Sequence, residues 1–220
     1  MYRTKTLAVA SAAVGATAVL VLSSGPAFAA ATYTVKSGTT TTGTTTYTAA
    51  TIGASPQIKF NDVTTGVALS CTSGTAAGSI KLGSGISGVA IGSIASTTWT
   101  GCLGPLGLPV TVKQNAPWTI NATGTPTSTG VTAVTITGVN ATVASTSAGA
   151  CSFNVTGGVK AKILAMGANK QKLTVVTGGS TLKVSNVVGC AAQVNNGDKA
   201  NFAGVYKIAA ASGPLSITTP

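Results

Sequence analysis

Two cysteine-bounded segments set the strongest constraint on this chain. Cys71-Thr-Ser-Gly-Thr-Ala-Ala-Gly78 opens a stretch that closes at Trp99-Thr-Gly-Cys102, and Cys151 to Cys190 loosely echoes it. In each, small and turn residues lead to a glycine seven positions on, Gly78 or Gly158, then to Ile80-Lys81-Leu82 or Val159-Lys160-Ala161-Lys162. Each closing cysteine follows a glycine, Gly101 or Gly189. Four cysteines allow three connectivities. Pairing within the segments encloses each echo and closes the shorter loops, so Cys71–Cys102 and Cys151–Cys190 are the expected bridges. A metal centre is not expected, because no spacing is CxxC and the chain has no His to complete a ligand set.

Around these cysteines the apolar residues are mostly Ala, Val and Ile and the polar ones mostly Thr, Ser and Gly, which is strand and turn chemistry. With 44% hydrophobic residues the chain can fill a core. Strand patterns appear at 32–35, 46–48, 58–60, 67–71, 110–113, 118–122, 131–143 with a break at Gly138, 151–155, 159–164, 172–176, 181–184 and 201–208. The Thr-rich run ending in Thr46-Tyr47-Thr48 predicts a first hairpin with Thr32-Tyr33-Thr34-Val35. Asn195-Asn196-Gly197-Asp198 predicts a second, between Ala191-Ala192-Gln193-Val194 and the strand at Phe202. Between Cys71 and Thr98 the chain is punctuated by Gly and Ser every few residues. The expectation is an all-β fold, a β-sandwich or barrel of about a dozen short, mainly antiparallel strands with two disulfides. One domain over 30–220 is expected, built from two stapled halves at 30–125 and 126–220.

The N-terminus reads as a signal peptide, 1–29. Arg3 and Lys5 precede an apolar stretch from Leu7 to Leu22, and Ala27-Phe28-Ala29 is a small-x-small cleavage site. The mature protein is then expected to be secreted or held at the cell envelope, where thiols oxidise, with no transmembrane helix. Losing Arg3 and Lys5 takes the net charge from +11 to +9, carried by lysines against only Asp62 and Asp198. Such a surface attracts anionic envelope polymers or lipid. Nucleic acid is not an expected partner, since base and phosphate reading favours Arg forks and the mature chain has no Arg.

Catalytic chemistry finds few residues to use. There is no His or Glu, and the one possible carboxylate pair, Asp62 with Asp198, sits in two turn signals. No cofactor is expected. Gly83-Ser84-Gly85-Ile86-Ser87-Gly88 spells GxGxxG, but no helical pattern or acidic residue follows it as a dinucleotide site requires. Ser180-Thr181-Leu182-Lys183 spells SxxK within a strand pattern rather than at a helix start.

Two features stand above this background. Val159-Lys160-Ala161-Lys162-Ile163 and Lys170-Gln171-Lys172-Leu173 predict a hairpin closed at Ala165-Met166-Gly167, with Lys160 opposite Lys172 and Lys162 opposite Lys170 on one face. Facing like charges cost stability, a cost that an anionic partner relieves, while the same lysines also protect an edge from aggregation. The other is Leu103-Gly104-Pro105-Leu106-Gly107-Leu108-Pro109, an apolar loop following Trp99 and Cys102. Exposed, Trp99, Leu103, Leu106 and Leu108 form an apolar binding patch; folded back, they join the core. Trp118 reads as core.

The stretches Gly66-Val-Ala-Leu-Ser-Cys71-Thr-Ser-Gly74, Trp99-Thr-Gly-Cys102 and Asn195-Asn-Gly-Asp-Lys-Ala-Asn-Phe202 resemble those of uncharacterised secreted Ala/Gly/Thr-rich proteins of actinobacteria. That resemblance implies export and brings no catalytic residues. In composition the chain is also similar to neocarzinostatin-type apoproteins, which implies a secreted two-disulfide β fold, although this chain is longer and more basic. The expected role is non-catalytic association with anionic envelope components through lysine-rich strand faces. The alternatives are a carrier of an apolar small molecule and a β-structured surface assembly or pore-forming oligomer.

Overall fold

The structure, a computed structural model, describes residues 31–55, 57–147, 151–165 and 171–220, with Leu106 described by its backbone alone. The expected signal peptide lies outside them. Thirteen strands form one sheet: β1 (Thr32–Ser37), β2 (Gly43–Thr51), β3 (Ile58–Asp62), β4 (Ala68–Ser87), β5 (Gly92–Leu103), β6 (Val110–Gln114), β7 (Trp118–Ala122), β8 (Val131–Ser145), β9 (Ser152–Leu164), β10 (Lys172–Val175), β11 (Leu182–Val188), β12 (Lys199–Ala210) and β13 (Leu215–Thr218). One 3-10 turn, Pro105–Gly107, interrupts them. No helix among the described residues is long and apolar enough to cross a membrane.

The pairing closes this sheet on itself. β2 and β3 both pair with β4, at residues 75–82 and 68–71, and act as one interrupted wall strand. β6 and β7 divide the side of β8 in the same way, and β10 and β11 divide the side of β9. Taking each interrupted pair as one position, the wall runs β2/β3, β4, β5, β6/β7, β8, β9, β10/β11, β12. The last position, β12, returns to pair with β2 and β3. Every one of these pairings is antiparallel, so the fold is an up-and-down barrel of eight wall positions whose first and last members meet.

Side-chain alternation explains the closure. In β9, Phe153, Val155, Val159, Ala161 and Ile163 are buried while Lys160 and Lys162 are exposed. The same period of two puts Ile58 and Phe60 of β3 and Val134 and Ile136 of β8 inside. Bulges keep the register around the curve, one at residues 137–139 of β8, where Gly138 takes φ +71°, and one at residues 77–78 of β4. The Gly/Ser punctuation after Cys71 does not end strands. It belongs to β4 and β5, of 20 and 12 residues, whose small residues let backbones meet: a Cβ on Gly78 would collide with the Ser93 carbonyl.

Both expected disulfides are present, Cys71–Cys102 and Cys151–Cys190. Cys71 and Cys102 face each other directly across the β4–β5 ladder. Cys151 and Cys190 flank the end of the β9–β11 ladder at Ser152↔Val188. Counted around the wall, each bridge joins the second and third positions of a four-position half, so the echo in the sequence marks equivalent places. The halves share one wall and one core.

Two expectations about pairing are corrected. β1 does not form a hairpin with β2. It pairs with β13 and the far end of β4, burying Tyr33, Val35, Leu215 and Ile217. Bonds from Tyr33 Oη to the Gly124 carbonyl and from Gln171 Nε2 to the Leu215 carbonyl tie this ribbon across one end of the barrel. Residues 191–194 are turn rather than strand, because Ala191 and Ala192 adopt left-handed φ and Asp198 accepts the Asn195 N–H. β12 instead meets β11, at Leu182↔Ala200 and Lys183↔Lys199. The GxGxxG match lies within and just beyond the end of β4, and no helix follows it.

Candidate functional site

The barrel interior holds a cavity of about 80 Å³ whose walls are almost wholly apolar. Phe60, Val112, Val139, Val155, Leu173 and Phe202 supply much of its lining. Eight strands give a bore that side chains just fill or that admits one small ligand. Here Ala76 and Ala141 stand among the larger lining residues, and the filling is incomplete.

Beside this cavity the wall is unzipped. β5 pairs with β7 only at residues 92–94, and beyond that the turn between β5 and β6 is crossed by a single bridge, Leu103↔Pro109. Among the described residues no backbone ladder joins residues 95–101 of β5 to β6. The break follows from sequence: Asn115-Ala116-Pro117 separates β6 from β7, and a proline supplies no N–H to a ladder. Gln114 clasps one end of the seam, its Nε2 donating to the carbonyls of Ile94 and Ala116. A groove of about 410 Å³ runs along the outside of the seam between residues 95–99 and 112–117. Thr97, Trp99 and Val112 line both this groove and the interior cavity, so they form the partition between the two.

The partition carries polar atoms without partners. Among the described residues, six buried side-chain polar atoms have no hydrogen-bond partner, and four of them lie here: Thr97 Oγ1, Trp99 Nε1, Gln114 Oε1 and Trp118 Nε1. Trp118 is 8% exposed, and its ring centroid stands 6.1 Å from that of Trp99. Because Gln114 gives both donors of its amide to carbonyls, its oxygen is the free acceptor. Tyr206 lines the cavity nearby, its phenol pushed up to about 12 by burial and held down somewhat by the adjacent Trp99 indole. No charged group lines the cavity.

The residues singled out from sequence are distributed differently from expectation. Trp99 lies at the cavity, but Leu103 and Leu108 are 46% and 39% exposed at the turn and do not line it; Leu106 has no described side chain. The lysine hairpin is also in another register. Lys172 faces Leu164, and Thr174 faces Lys162, a slip of four residues from the expected pairing. Ala165 and Gln171 leave the ladder to bond the end of the barrel, through Ala165 N–H to the Gly130 carbonyl and the Ile208 N–H to the Gln171 carbonyl. Lys170 and the Met166-Gly167 turn lie outside the described residues. An even slip preserves facing, so Lys160, Lys162 and Lys172 still share the outer surface, where Lys172 sits opposite Lys207.

Asp62 and Asp198, far apart in sequence, are brought together. Asp62 is 1% exposed and Asp198 7%. Asp62 Oδ1 accepts the N–H groups of Thr64 and Thr65, at 2.9 and 3.0 Å. Burial pushes the Asp62 carboxyl up, the Thr65 and Thr64 N–H groups pull it down, and the neighbouring Asp198 carboxyl pushes it up again. This pair links two turns at the end of β3, and neither carboxylate lines the cavity. Among the described residues no group of three or more metal-ligating side chains occurs.

Sequence reading missed Thr97 and Gln114; it placed Trp118 in the core, where the structure has it, but not at the cavity wall. The available signal was that Trp99 and Trp118 are the only tryptophans, flanking a strand broken at Pro117. Comparison with protein families, with curated proteins and with solved structures finds no match to this chain.

Proposed function

We propose that the protein is a non-catalytic, secreted carrier that holds a small apolar molecule inside the barrel. The observation that carries this reading is the apolar-walled cavity of about 80 Å³ beside an unpaired seam. A dry apolar cavity of about 150 Å³, roughly twice this one, binds benzene, so a guest of that size draws on the groove as well. The outer groove of about 410 Å³ gives a longer guest room to extend, toward the volume usual for small-molecule sites. The two disulfides suit an oxidising compartment. Benzene titration is the test, read by thermal melting and by tryptophan fluorescence, since both tryptophans flank the cavity. A saturable rise in Tm with a fluorescence change is expected; neither response at millimolar benzene removes the reading.

A second reading, association with an anionic envelope polymer, is favoured by one separate observation. All ten described lysines are exposed while both carboxylates are buried. Two lysine pairs, Lys172↔Lys207 and Lys183↔Lys199, face each other across strands, where like charges are unfavourable without a counter-ion. The two readings concern opposite faces of the wall and are compatible. Retention on isolated envelope material across a salt series tests the second, with Lys162, Lys172 and Lys207 changed to Gln as the control. Retention indifferent to both changes removes it. The third expectation, a pore, finds less support, because a membrane barrel needs an outward apolar band and this outer face carries lysine and threonine.

A further inference from the structure

Resting on the carrier reading, we propose that the seam is a polar subsite selecting a neutral guest that carries a hydroxyl or carbonyl oxygen. Its polar end is held between Thr97, Trp99, Gln114 and Trp118, and its apolar body lies in the bore. The argument starts from the cost of leaving buried polar groups unpaired, about 1–3 kcal/mol each. Four such atoms belong to residues at or beside the unpaired seam, Thr97 and Trp99 lining both bore and groove, Trp118 the bore and Gln114 the groove, while apart from Tyr206 the remaining cavity lining is apolar. The clustering is what a site with a few placed polar groups looks like.

The chemistry of the four atoms defines the guest. The Trp118 indole N–H can only donate, as can that of Trp99, which lies beside the Tyr206 hydroxyl, so the guest must present an acceptor oxygen. Gln114 Oε1 can only accept, because its amide N–H groups are already committed, so a hydroxyl or amide N–H is also matched. Thr97 Oγ1 can serve either role. Charge is selected against in both signs. Lys113 lines the outer groove, and no counter-charge lines the cavity itself to repay desolvation of a carboxylate or ammonium within the bore. Because Thr97 and Trp99 line both bore and groove, with Trp118 on the bore side and Gln114 on the groove side, the seam is also the route of entry.

The test compares benzene, phenol, benzoate and benzylamine on the intact oxidised protein, at a pH where phenol is neutral. Quenching of Trp99 and Trp118 gives each affinity. Phenol is expected to bind roughly tenfold or more tighter than benzene, with benzoate and benzylamine weaker than either. Thr97→Val, nearly isosteric, and Trp118→Phe, which keeps a ring and leaves Trp99 as reporter, both alter the cavity lining, so the readout is the ratio: the phenol-to-benzene preference is expected to fall toward one whatever each does to benzene affinity itself. If benzene and phenol bind equally in the unmodified protein, the polar subsite is overturned and the carrier reading stands. Tighter binding of benzoate than phenol overturns the neutral selection. If none of the four binds, the carrier reading itself falls and the subsite with it. The comparison among probes needs no variant, so a variant that fails to fold does not protect the proposal.

Discussion

Filling the bore at Ala141 should move stability and binding in opposite directions. Ala141 is 6% exposed and lines the cavity from β8, where it pairs with Gln114 on one side and Val155 on the other. Ala141→Val adds two carbons and Ala141→Leu adds three. At about 0.8 kcal/mol per buried methylene the gains are at most about 1.6 and 2.4 kcal/mol. Reduced rotamer freedom and imperfect fit take back part of this, so net gains of about 1 and 1.5 kcal/mol are expected. A chain of this size shifts its Tm by about 2–4 °C per kcal/mol, which gives about 2–6 °C, measurable by circular dichroism melts. Benzene quenching of tryptophan should weaken progressively from Ala to Val to Leu, since the added carbons occupy the space the guest needs. A Leu variant that loses more than about 2 kcal/mol would show that the bore has no room at this position and would refute the volume argument. A variant that gains stability and keeps full benzene binding would move the guest elsewhere.

Other outcomes follow from the wall and its turns. Cys102→Ser opens a loop of 31 residues and Cys190→Ser one of 39, and the chain-entropy relation gives each a loss of about 3.5–4 kcal/mol, to be read by urea melts. Gly78→Ala should cost at least about 2 kcal/mol, because its Cβ meets the Ser93 carbonyl, while Gly43→Ala, with open space around it but φ +86°, should cost less. The folded Asp62 carboxyl is raised, so the native state binds a proton more readily than the unfolded chain, and stability falls as pH rises from the ordinary carboxylate range through the raised value. Asp62→Asn removes that fall and should be the more stable protein at neutral pH; a pH series of melts in which the two run parallel would contradict it.

Much of the wall was legible because its signals are local. The alternation in Val159-Lys160-Ala161-Lys162-Ile163 gave β9 and its outward lysines, and the break at Gly138 falls on a bulge. The cysteine pairing followed from loop closure and the echo of the segments. The parts that escaped depend on distant residues. A glycine-rich run reads as turns until the partner backbone that requires Gly78 is known, so β4 and β5 were concealed. β1 carries a good strand pattern, yet nothing near it indicates that its neighbour is β13, 176 residues away where Ser37 meets Gly213. The candidate site escaped for the same reason: the polar atoms of Thr97 and Gln114 become significant only when β5 and β6 are seen to lie side by side without pairing.

The return of β12 to β2 and β3 also sets an order of assembly. From the moment β11 has formed until residues 199–210 arrive, the growing wall has two free edges, one on β2/β3 and one on β10/β11. Such edges recruit strands from other molecules, and their final pairing joins residues about 150 positions apart, the kind of contact that forms late. β12 is therefore the fastener of the wall, with only the β1–β13 ribbon, of still longer range, left to pair after it, and a chain that stalls before Lys199 presents its apolar lining and both edges together. The bridge between Cys71 and Cys102 joins β4 to β5, neither of which belongs to the closing ladders, and can form while the barrel is still open. Oxidation of this bridge ahead of closure would hold β4 against β5 through the interval in which the unfinished sheet is most exposed to other chains.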